Sequence, residues 1–106
     1  MLKGVLPLLL LELLDRQEDY GYAVVVRLQE AGLVDLAEGS VYPALTRLEA
    51  RGSLASRLVP SDAGPARKYY RPTTEGLTEM RQARRRWSEF VDHVDRIINP
   101  DEGRAS

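Results

Sequence analysis

The sequence predicts a mainly α-helical fold with a small β-hairpin wing, arranged as a winged helix-turn-helix followed by a long C-terminal dimerisation helix. The first observation is the stretch from Gly39 to Arg71, where an amphipathic segment leads into two short basic strands around a turn of Pro, Ser, Asp and Gly. The second is a set of apolar residues at alternating spacings of three and four near the C-terminus, which is typical of helices that pack lengthwise. The third is charge: residues 40–71 hold six basic and two acidic side chains, although the whole chain has a net charge of −1.

A length of 106 residues is sufficient for one domain with a small core. We expect the winged helix-turn-helix at residues 1–72, the dimerisation helix at residues 73–98 and a flexible tail at residues 99–106. The absence of cysteine excludes disulfides and thiolate metal sites, and it fits a reducing, cytoplasmic compartment. The leucine-rich start is interrupted by Glu12 and Asp15 and is too short to cross a bilayer, so we expect neither a signal peptide nor a membrane partner.

The first helix is predicted over Leu2–Arg16, and apolar residues surround almost its whole circumference. A small domain rarely covers so much apolar surface, so part of it, including Leu6 and Leu10, is expected to contact a second subunit. Packing within the core of one subunit is an equally good explanation for any single leucine.

The second helix is predicted over about Tyr20–Ala31, with Asp19 as its N-cap and Gly32 just after its C-terminus. Its three consecutive valines are poor helix formers in isolation, so tertiary packing has to hold the segment helical. Tyr22, Leu28 and one of the later valines are expected to face the core.

The third helix is predicted to begin at Ser40, whose hydroxyl is suited to capping, and to end at Gly52. Pro43 falls in its first turn, where the missing N–H has no helical partner in any case. Apolar residues at spacings i, i+3, i+4 and i+7 form the stripe expected in the core, namely Val41, Ala44, Leu45 and Leu48. The opposite face is polar, aromatic and basic, and carries Tyr42, Pro43, Thr46, Arg47 and Glu49.

The wing is predicted as a strand over Leu54–Val59, a tip over Pro60–Pro65 and a return strand over Arg67–Arg71. Tyr69 and Tyr70 should lie on opposite faces of the return strand, so that one anchors the wing to the third helix and the other is free to reach a phosphate. The return strand is basic as well as aromatic, which favours a surface that faces a nucleic acid.

The fourth helix is predicted from a cap at Thr73 to Ile98, where Asn99 and Pro100 stop it. The first three helices already make a core, so little of the same subunit remains to cover the apolar seam of this helix. A homodimer is therefore expected, with an interface formed by Leu6, Leu10, Met80, Ala83, Trp87, Phe90, Val94 and Ile97.

Several motifs together resemble the PadR-type transcriptional regulators, in the short form with a single C-terminal helix. They are LKG and LLLLELL in the first helix, YGYAVVVRLQEAG in the second, EGSVYPALTRLEARG in the third, GPARKYY in the wing, and TTEG with a later Trp in the fourth. The resemblance covers essentially Leu2 to Ile98. It implies a winged helix-turn-helix dimer, paired through the fourth and first helices, that binds a two-fold symmetric operator and usually represses. Ser53 stands where the family usually has a bulkier apolar residue, which is expected to loosen the corner between the third helix and the wing.

The residues expected to contact DNA lie on the outer face of the third helix and on the wing. Arginine suits bidentate recognition of guanine, whereas tyrosine more often fixes register on a phosphate, and which role each residue takes stays open. The alternative is that these side chains form only a solvated helix face and a charged hairpin edge. The expected contacts are Ser40, Tyr42, Pro43, Thr46, Arg47, Gly64, Pro65, Arg67, Lys68 and Tyr70.

Trp87 raises the possibility of a second site. In drug-responsive regulators of the family that the chain resembles, a tryptophan at the matching place lines a cavity between subunits and stacks on planar ligands. We therefore consider an effector site at Trp87, Arg84 and Phe90, where an arginine would favour an anionic planar aromatic ligand. The competing interpretation is that Trp87 is an ordinary residue of the dimer seam.

Other classes of function find little support in the sequence. The lone histidine, His93, has no other soft ligands near it, so no metal site is expected, and neither a Gly-rich phosphate loop nor a nucleophile–base arrangement indicates an enzyme. No cofactor is expected. The resemblance therefore implies a repressor that binds double-stranded DNA as a homodimer and is released by a small planar ligand. The alternative is a winged-helix protein-interaction module without DNA binding.

Overall fold

The computed structural model describes the backbone of residues 2–100 and the side chains of residues 4–100. Within that part of the chain there are four helices and a three-stranded antiparallel sheet with the order β1-β3-β2, which confirms the predicted winged helix fold with a C-terminal helix. Apart from Asn99 and Pro100, the predicted tail lies outside the described residues. The elements are α1 (Leu2–Arg16), β1 (Asp19–Tyr20), α2 (Gly21–Glu30), α3 (Glu38–Ala50), β2 (Leu54–Ser61), β3 (Gly64–Pro72) and α4 (Thr74–Ile98).

The core lies between α1, α2 and α3, and the wing and the start of α4 close it. Leu6, Leu10 and Met80 belong to this core and are at most 5% exposed in the single subunit. The prediction that these three residues form a dimer interface is therefore wrong, because the other elements of the same subunit cover them. On α1, partial exposure remains at Val5, Leu9 and Leu13.

The start of α2 differs from the prediction. Asp19 and Tyr20 form the short strand β1, which pairs antiparallel with β3, so α2 begins at Gly21 with Tyr20 as an N-cap that makes no side-chain cap. Asp19 is therefore not the N-cap. Its carboxylate accepts a hydrogen bond from the Tyr20 N–H (3.1 Å) and lies 3.3 Å from the Arg27 guanidinium.

α2 buries two of the three positions that were predicted to face the core. Val24, Val25 and Leu28 point inward, which confirms Leu28 and one of the later valines. Tyr22 lies outside this stripe and is 55% exposed, so its predicted place in the core is wrong. Gly32 follows the helix with a φ of +99°, a conformation that is open to glycine and strained for other residues.

α3 begins at Glu38, two residues before the predicted start. Ala37 is the N-cap, and its carbonyl accepts hydrogen bonds from the N–H groups of Ser40 (3.0 Å) and Val41 (2.9 Å). Ser40 is thus inside the first turn and is not the cap, while Glu38 places a negative charge at the positive end of the helix dipole. The predicted buried stripe is confirmed, since Val41, Ala44, Leu45 and Leu48 are all buried.

The wing is longer than predicted and its tip is tighter. β2 runs to Ser61 and β3 starts at Gly64, so only two residues remain between the strands. The pairing is irregular between Val59 and Ser61, around Pro60, which has no N–H to donate to the ladder. The rest of the hairpin is a regular antiparallel pair, and β1 extends it on the β3 side.

α4 is joined tightly to the end of α3. The Thr73 hydroxyl accepts a hydrogen bond from the Gly76 N–H (3.0 Å), which confirms Thr73 as the N-cap, and it donates to the Gly52 carbonyl (2.6 Å). Ser53 is buried, and its hydroxyl donates to the Glu79 carboxylate (2.6 Å). The Ser53 hydroxyl thus makes a bond between the end of α3 and α4 that an apolar side chain could not make. The expectation that Ser53 loosens the corner between α3 and the wing stays a prediction.

Candidate nucleic-acid interface

The helix-turn-helix formed by α2 and α3 leaves one face of α3 exposed. Tyr42, Pro43, Thr46 and Arg47 lie on that face, as helical spacing predicts, whereas Ser40 is half-buried. The Thr46 hydroxyl donates to the Tyr42 carbonyl one turn earlier (3.1 Å). Arg47 takes part in none of the ion pairs between described residues, so its guanidinium donors are open to a partner.

Tyr42 is held against the start of α2. Its ring lies so close to Gly21 that a Cβ atom built on this glycine would be 2.3 Å from Tyr42 Cε1. A glycine is therefore required at position 21 for the ring to lie where it does, a role that the sequence analysis missed. Burial, followed by the Glu38 carboxylate, raises the pKa of the Tyr42 phenol. The phenol stays protonated at neutral pH and can donate a hydrogen bond to a phosphate oxygen.

Two cations of the wing are paired with carboxylates. Arg57 donates two hydrogen bonds to Glu18 (2.7 and 2.9 Å), and Lys68 Nζ lies 2.8 Å from Glu49 Oε1. The hydrogen bond to Glu49 raises the pKa of Lys68, and the partner cations lower the pKa of both carboxyl groups. Such exposed pairs add little to stability. They do reduce the positive charge that the wing presents to a partner. This charge is therefore smaller than the number of basic residues in the wing had suggested.

Arg67 is held differently from these two cations. Its Cζ atom lies 4.5 Å from the centroid of the Tyr20 ring, and it takes part in no ion pair with a described residue. Tyr20 is not among the predicted contacts, because the strand that carries it is only two residues long and depends on a distant partner.

The start of α2, the exposed face of α3 and the wing enclose a cleft of about 280 Å³. Five predicted contacts meet there, and the cleft adds two tyrosines, Tyr20 and Tyr22, that were not predicted to contact DNA. The sequence signal for the added pair is the aromatic stretch DYGY, which runs from β1 into the first turn of α2. The lining residues are Tyr20, Gly21, Tyr22, Tyr42, Thr46, Arg67, Lys68 and Tyr70.

The remaining predicted contacts lie outside this cleft. Ser40, Pro43 and Arg47 line a smaller depression of about 170 Å³ between α3 and α1. Gly64 and Pro65 are exposed at the wing tip. Because residues four apart are neighbours on a helix, the row of Pro43 and Arg47 runs beside the row that borders the cleft, and the two form one continuous exposed face.

Tyr70 does not fit its prediction as a DNA contact. It is 8% exposed and belongs to the core, and burial raises the pKa of its phenol. Tyr70 is therefore the tyrosine that anchors the wing. Tyr69 lies on the opposite face of β3, as the two-residue period predicts, and its ring centroid is 5.3 Å from that of Tyr20.

A second concavity, of about 460 Å³, lies between α1 and α4. Trp87 and Phe90, two of the predicted effector residues, line this groove with their ring centroids 5.9 Å apart. Arg84 does not line it, because its guanidinium pairs with Glu12 (2.6 and 2.8 Å), so the prediction of Arg84 as an effector ligand is wrong for this groove. The other lining residues are Gly4, Val5, Pro7, Leu8, Arg51, Glu79, Ala83 and Arg86.

The second half of α4 is largely uncovered. Trp87 and Phe90 are 39% and 43% exposed, and Ile97 is 81% exposed. Ala83 and Val94 are half-buried. From Ala83 onward, the predicted apolar seam of α4 is therefore free to contact another molecule. Met80, the first residue of the seam, is part of the core.

The described residues hold neither a metal site nor a membrane-spanning helix. No group of three or more side chains that bind metals converges anywhere in that part of the chain, and His93 is exposed on α4. None of the helices in the described range is both long and apolar enough to cross a membrane.

Comparison with known proteins agrees with this geometry. A PadR-like transcriptional regulator from Bacillus cereus strain ATCC 14579 is 33% identical with a TM-score of 0.83, and the match covers 93% of this chain and 96% of that one. A PadR family transcriptional regulator from Eggerthella lenta DSM 2243 is 35% identical with a TM-score of 0.82, covering 92% of this chain and 84% of that one. A Streptococcus transcriptional regulator is 36% identical with a TM-score of 0.81, covering 92% and 96%. No curated protein matches the sequence. The model of the transcriptional regulator PadR-like family matches residues 10–82, more than half of the chain, and the chain therefore belongs to this family.

Proposed function

We propose that this chain is a transcriptional repressor that binds a two-fold symmetric DNA operator as a homodimer. Members of its family are transcriptional regulators and not enzymes. The observation that carries the proposal is the presence of two exposed cations around the face that also carries Tyr42. They are Arg47 on α3 and Arg67 on the wing, and neither pairs with a carboxylate of the described residues.

The shape of this face supports a duplex as the partner. An α-helix with its side chains is roughly 10–12 Å across and fits the major groove of B-DNA, which is about 12 Å wide. With α3 in the groove, Arg47 would face base edges and the protonated phenol of Tyr42 would donate to a phosphate oxygen. Arg67 on the wing would meet the flanking backbone or the minor groove.

The apolar surface of α4 supports the dimer. Trp87, Phe90 and Ile97 are exposed apolar side chains of the same seam of α4, and a contiguous apolar surface of this kind often marks an interaction site. A second copy that packs α4 against this seam would cover it, with the half-exposed stripe at Val5 and Leu9 of α1 as the adjoining surface. In a two-fold pair the α3 helices would enter successive major grooves, about 34 Å apart.

The groove between α1 and α4 supports a small planar effector. Trp87 and Phe90 supply aromatic walls, and Arg51 and Arg86 supply charge for an anionic group. Arg51 is the C-cap of α3 and pairs with Glu79. A ligand that took Arg51 from Glu79 would therefore act at the end of the helix that is proposed to read DNA.

Binding of the full chain to a fluorescein-labelled duplex from its own upstream region tests the proposal. We expect wild-type affinity to fall steeply with salt, because phosphate contacts release counterions. The double variant Arg47→Ala/Arg67→Ala should no longer bind the labelled duplex, and its circular dichroism spectrum should remain that of the folded, helical protein. The variant Arg81→Ala/Arg85→Ala removes the same charge from an exposed face of α4 and should bind like the wild type. Absence of wild-type binding at low salt would refute the proposal and favour a protein-interaction module.

A further inference from the structure

The outer face of the sheet carries an alternating stack of aromatic and cationic side chains. Arg67 lies over the Tyr20 ring (4.5 Å), Tyr20 packs against Tyr69 (5.3 Å between centroids), and Arg57 lies over Tyr69 (6.0 Å). The backbone sets this order, because Tyr20 of β1 and Arg57 of β2 are both opposite Tyr69 of β3.

The backbone at Tyr20 is fixed by Arg27 of α2. The Arg27 guanidinium donates to the carbonyls of Leu13 (2.8 Å) and Gln17 (3.2 Å), and it pairs with Asp19 (3.3 Å). The half-buried Arg27 side chain thus connects the end of α1 and the loop after it to α2. The short strand that carries Tyr20 is therefore held from both sides, by Arg27 and by its pairing with β3.

Stacking and ion pairing have different consequences for a guanidinium. A carboxylate occupies N–H donors and cancels charge, as Glu18 does for Arg57. An aromatic face touches the flat side of the group and leaves the in-plane N–H donors and the charge open. Arg67 is therefore both held in place by Tyr20 and free to donate to a phosphate, whereas Arg57 is not free.

We propose that Tyr20 is a positioning residue for nucleic-acid binding, which holds the Arg67 guanidinium over its ring so that the N–H donors face the DNA backbone. The proposal rests on the proposed function, since it requires that Arg67 contacts DNA. Tyr20 itself carries no charge, so its effect on affinity has to pass through Arg67.

A double-mutant cycle on the full chain separates this role from a purely structural one. Tyr20→Leu removes the aromatic face, Tyr20→Phe keeps it, and each is combined with Arg67→Ala. The readout is the affinity for a generic labelled duplex at low salt, with thermal unfolding as a check on the fold. Tyr20→Leu should weaken binding about two- to fivefold, as expected for a lost cation–π contact at an exposed site. Tyr20→Phe should bind like the wild type.

In the Arg67→Ala background neither Tyr20 variant should change affinity further. Two results would overturn the positioning role and leave the proposed function standing. One is an equal loss of affinity from Tyr20→Leu in the wild-type and Arg67→Ala backgrounds. The other is no loss of affinity from Tyr20→Leu although the wild type binds DNA. A wild type that does not bind DNA would remove both. Should Tyr20→Leu fail to fold, proton NMR of the wild type decides: the Arg67 Hδ signals should lie upfield of those of Arg47, and coincidence of the two sets would overturn the stacking.

Discussion

The hydroxyl of Ser53 donates a 2.6 Å hydrogen bond to one carboxylate oxygen of Glu79, and this bond joins the end of α3 to α4. Arg51 donates to the other oxygen of the same carboxylate. The Thr73 N–H donates to the Ser53 carbonyl (3.1 Å), so backbone and side chain connect the same two helices. A movement of α4 must therefore displace the end of α3 or break these bonds, which gives the proposed effector groove a physical route to the proposed DNA-binding helix.

Ser53→Ala should lower the free energy of unfolding by about 1–3 kcal/mol, because it leaves a carboxylate oxygen of Glu79 without its buried donor. Urea denaturation measures the change. Ser88→Ala, which removes an equivalent hydroxyl from the exposed part of α4, should stay within about 0.5 kcal/mol of the wild type. A Ser53→Ala loss no larger than that of Ser88→Ala would contradict the importance of this bond.

Gly76→Ala should destabilise the protein by about 1–3 kcal/mol, even though alanine favours a helix. A Cβ atom at position 76 would be 2.0 Å from the Ser53 carbonyl oxygen, which is backbone and cannot rotate away. The matched control is Gly39→Ala in the first turn of α3, where nothing lies within 4 Å of the added atom. Thermal unfolding should show a lower Tm for Gly76→Ala and an equal or higher Tm for Gly39→Ala. The reverse order would show that α4 can move away from the corner without cost.

The Glu49 carboxylate should make the attachment of the wing depend on pH. Its pKa is lowered from the ordinary value of 4.5, first by the hydrogen bond from Lys68 and then by that from Ser56. Because the folded pKa is below the unfolded one, the stabilisation is present above about pH 4.5 and is lost as the pH falls through the folded pKa. The wild type should therefore be more stable than Glu49→Gln near neutral pH, by less than about 1 kcal/mol for so exposed a pair, and the difference should vanish in acid. A difference in unfolding free energy that is constant with pH would contradict this.

Gly21→Ala should weaken DNA binding more than it weakens the fold. The added Cβ would meet the Tyr42 ring, which can rotate away, so the cost falls on the position of the phenol rather than on the core. Loss of one charge-assisted hydrogen bond to a phosphate predicts about a tenfold lower affinity in duplex titrations. In a Tyr42→Ala background, Gly21→Ala should have no further effect on affinity. A tenfold loss in both backgrounds would show that the glycine acts by some other route.

Local patterns were enough to predict much of the fold. The bounds of α1, the buried stripe of α3 and the Thr73 cap depend on residues within a few positions of one another, and all three are confirmed. The exposed row of Tyr42 and Arg47 follows from the same helical period. The general place of the candidate site was therefore predictable from spacing alone.

The features that the sequence did not reveal depend on distant partners. β1 exists because Tyr20 pairs with Tyr69 of β3, and Arg57 loses its free charge to Glu18, 39 positions away. Neither partner could be found from a local pattern. The choice of Tyr70 rather than Tyr69 as the anchor likewise depends on which face of β3 the core covers, which a two-residue period leaves undecided.

The exposed apolar seam of α4 is expected to hold two copies of the chain together. The wild type should be a dimer in solution, and Phe90→Glu should make it a monomer, because a carboxylate at the centre of an apolar contact would be buried without a partner. Light scattering coupled to size exclusion gives the mass directly. Trp87 is the single tryptophan of the chain, so a red shift of its emission in Phe90→Glu would report the exposure of the same surface.

Gln82→Glu is the matched control for this substitution, since it adds the same charge at an exposed position of α4 away from the seam, and it should leave the dimer intact. The monomeric variant also tests the link to DNA. Two reading heads held by one dimer bind a symmetric site with a far higher effective concentration than two separate heads, so Phe90→Glu should lose most of its operator affinity even though Arg47 and Arg67 are unchanged. A wild-type monomer at micromolar concentration, or full operator affinity in monomeric Phe90→Glu, would show that α4 has another partner.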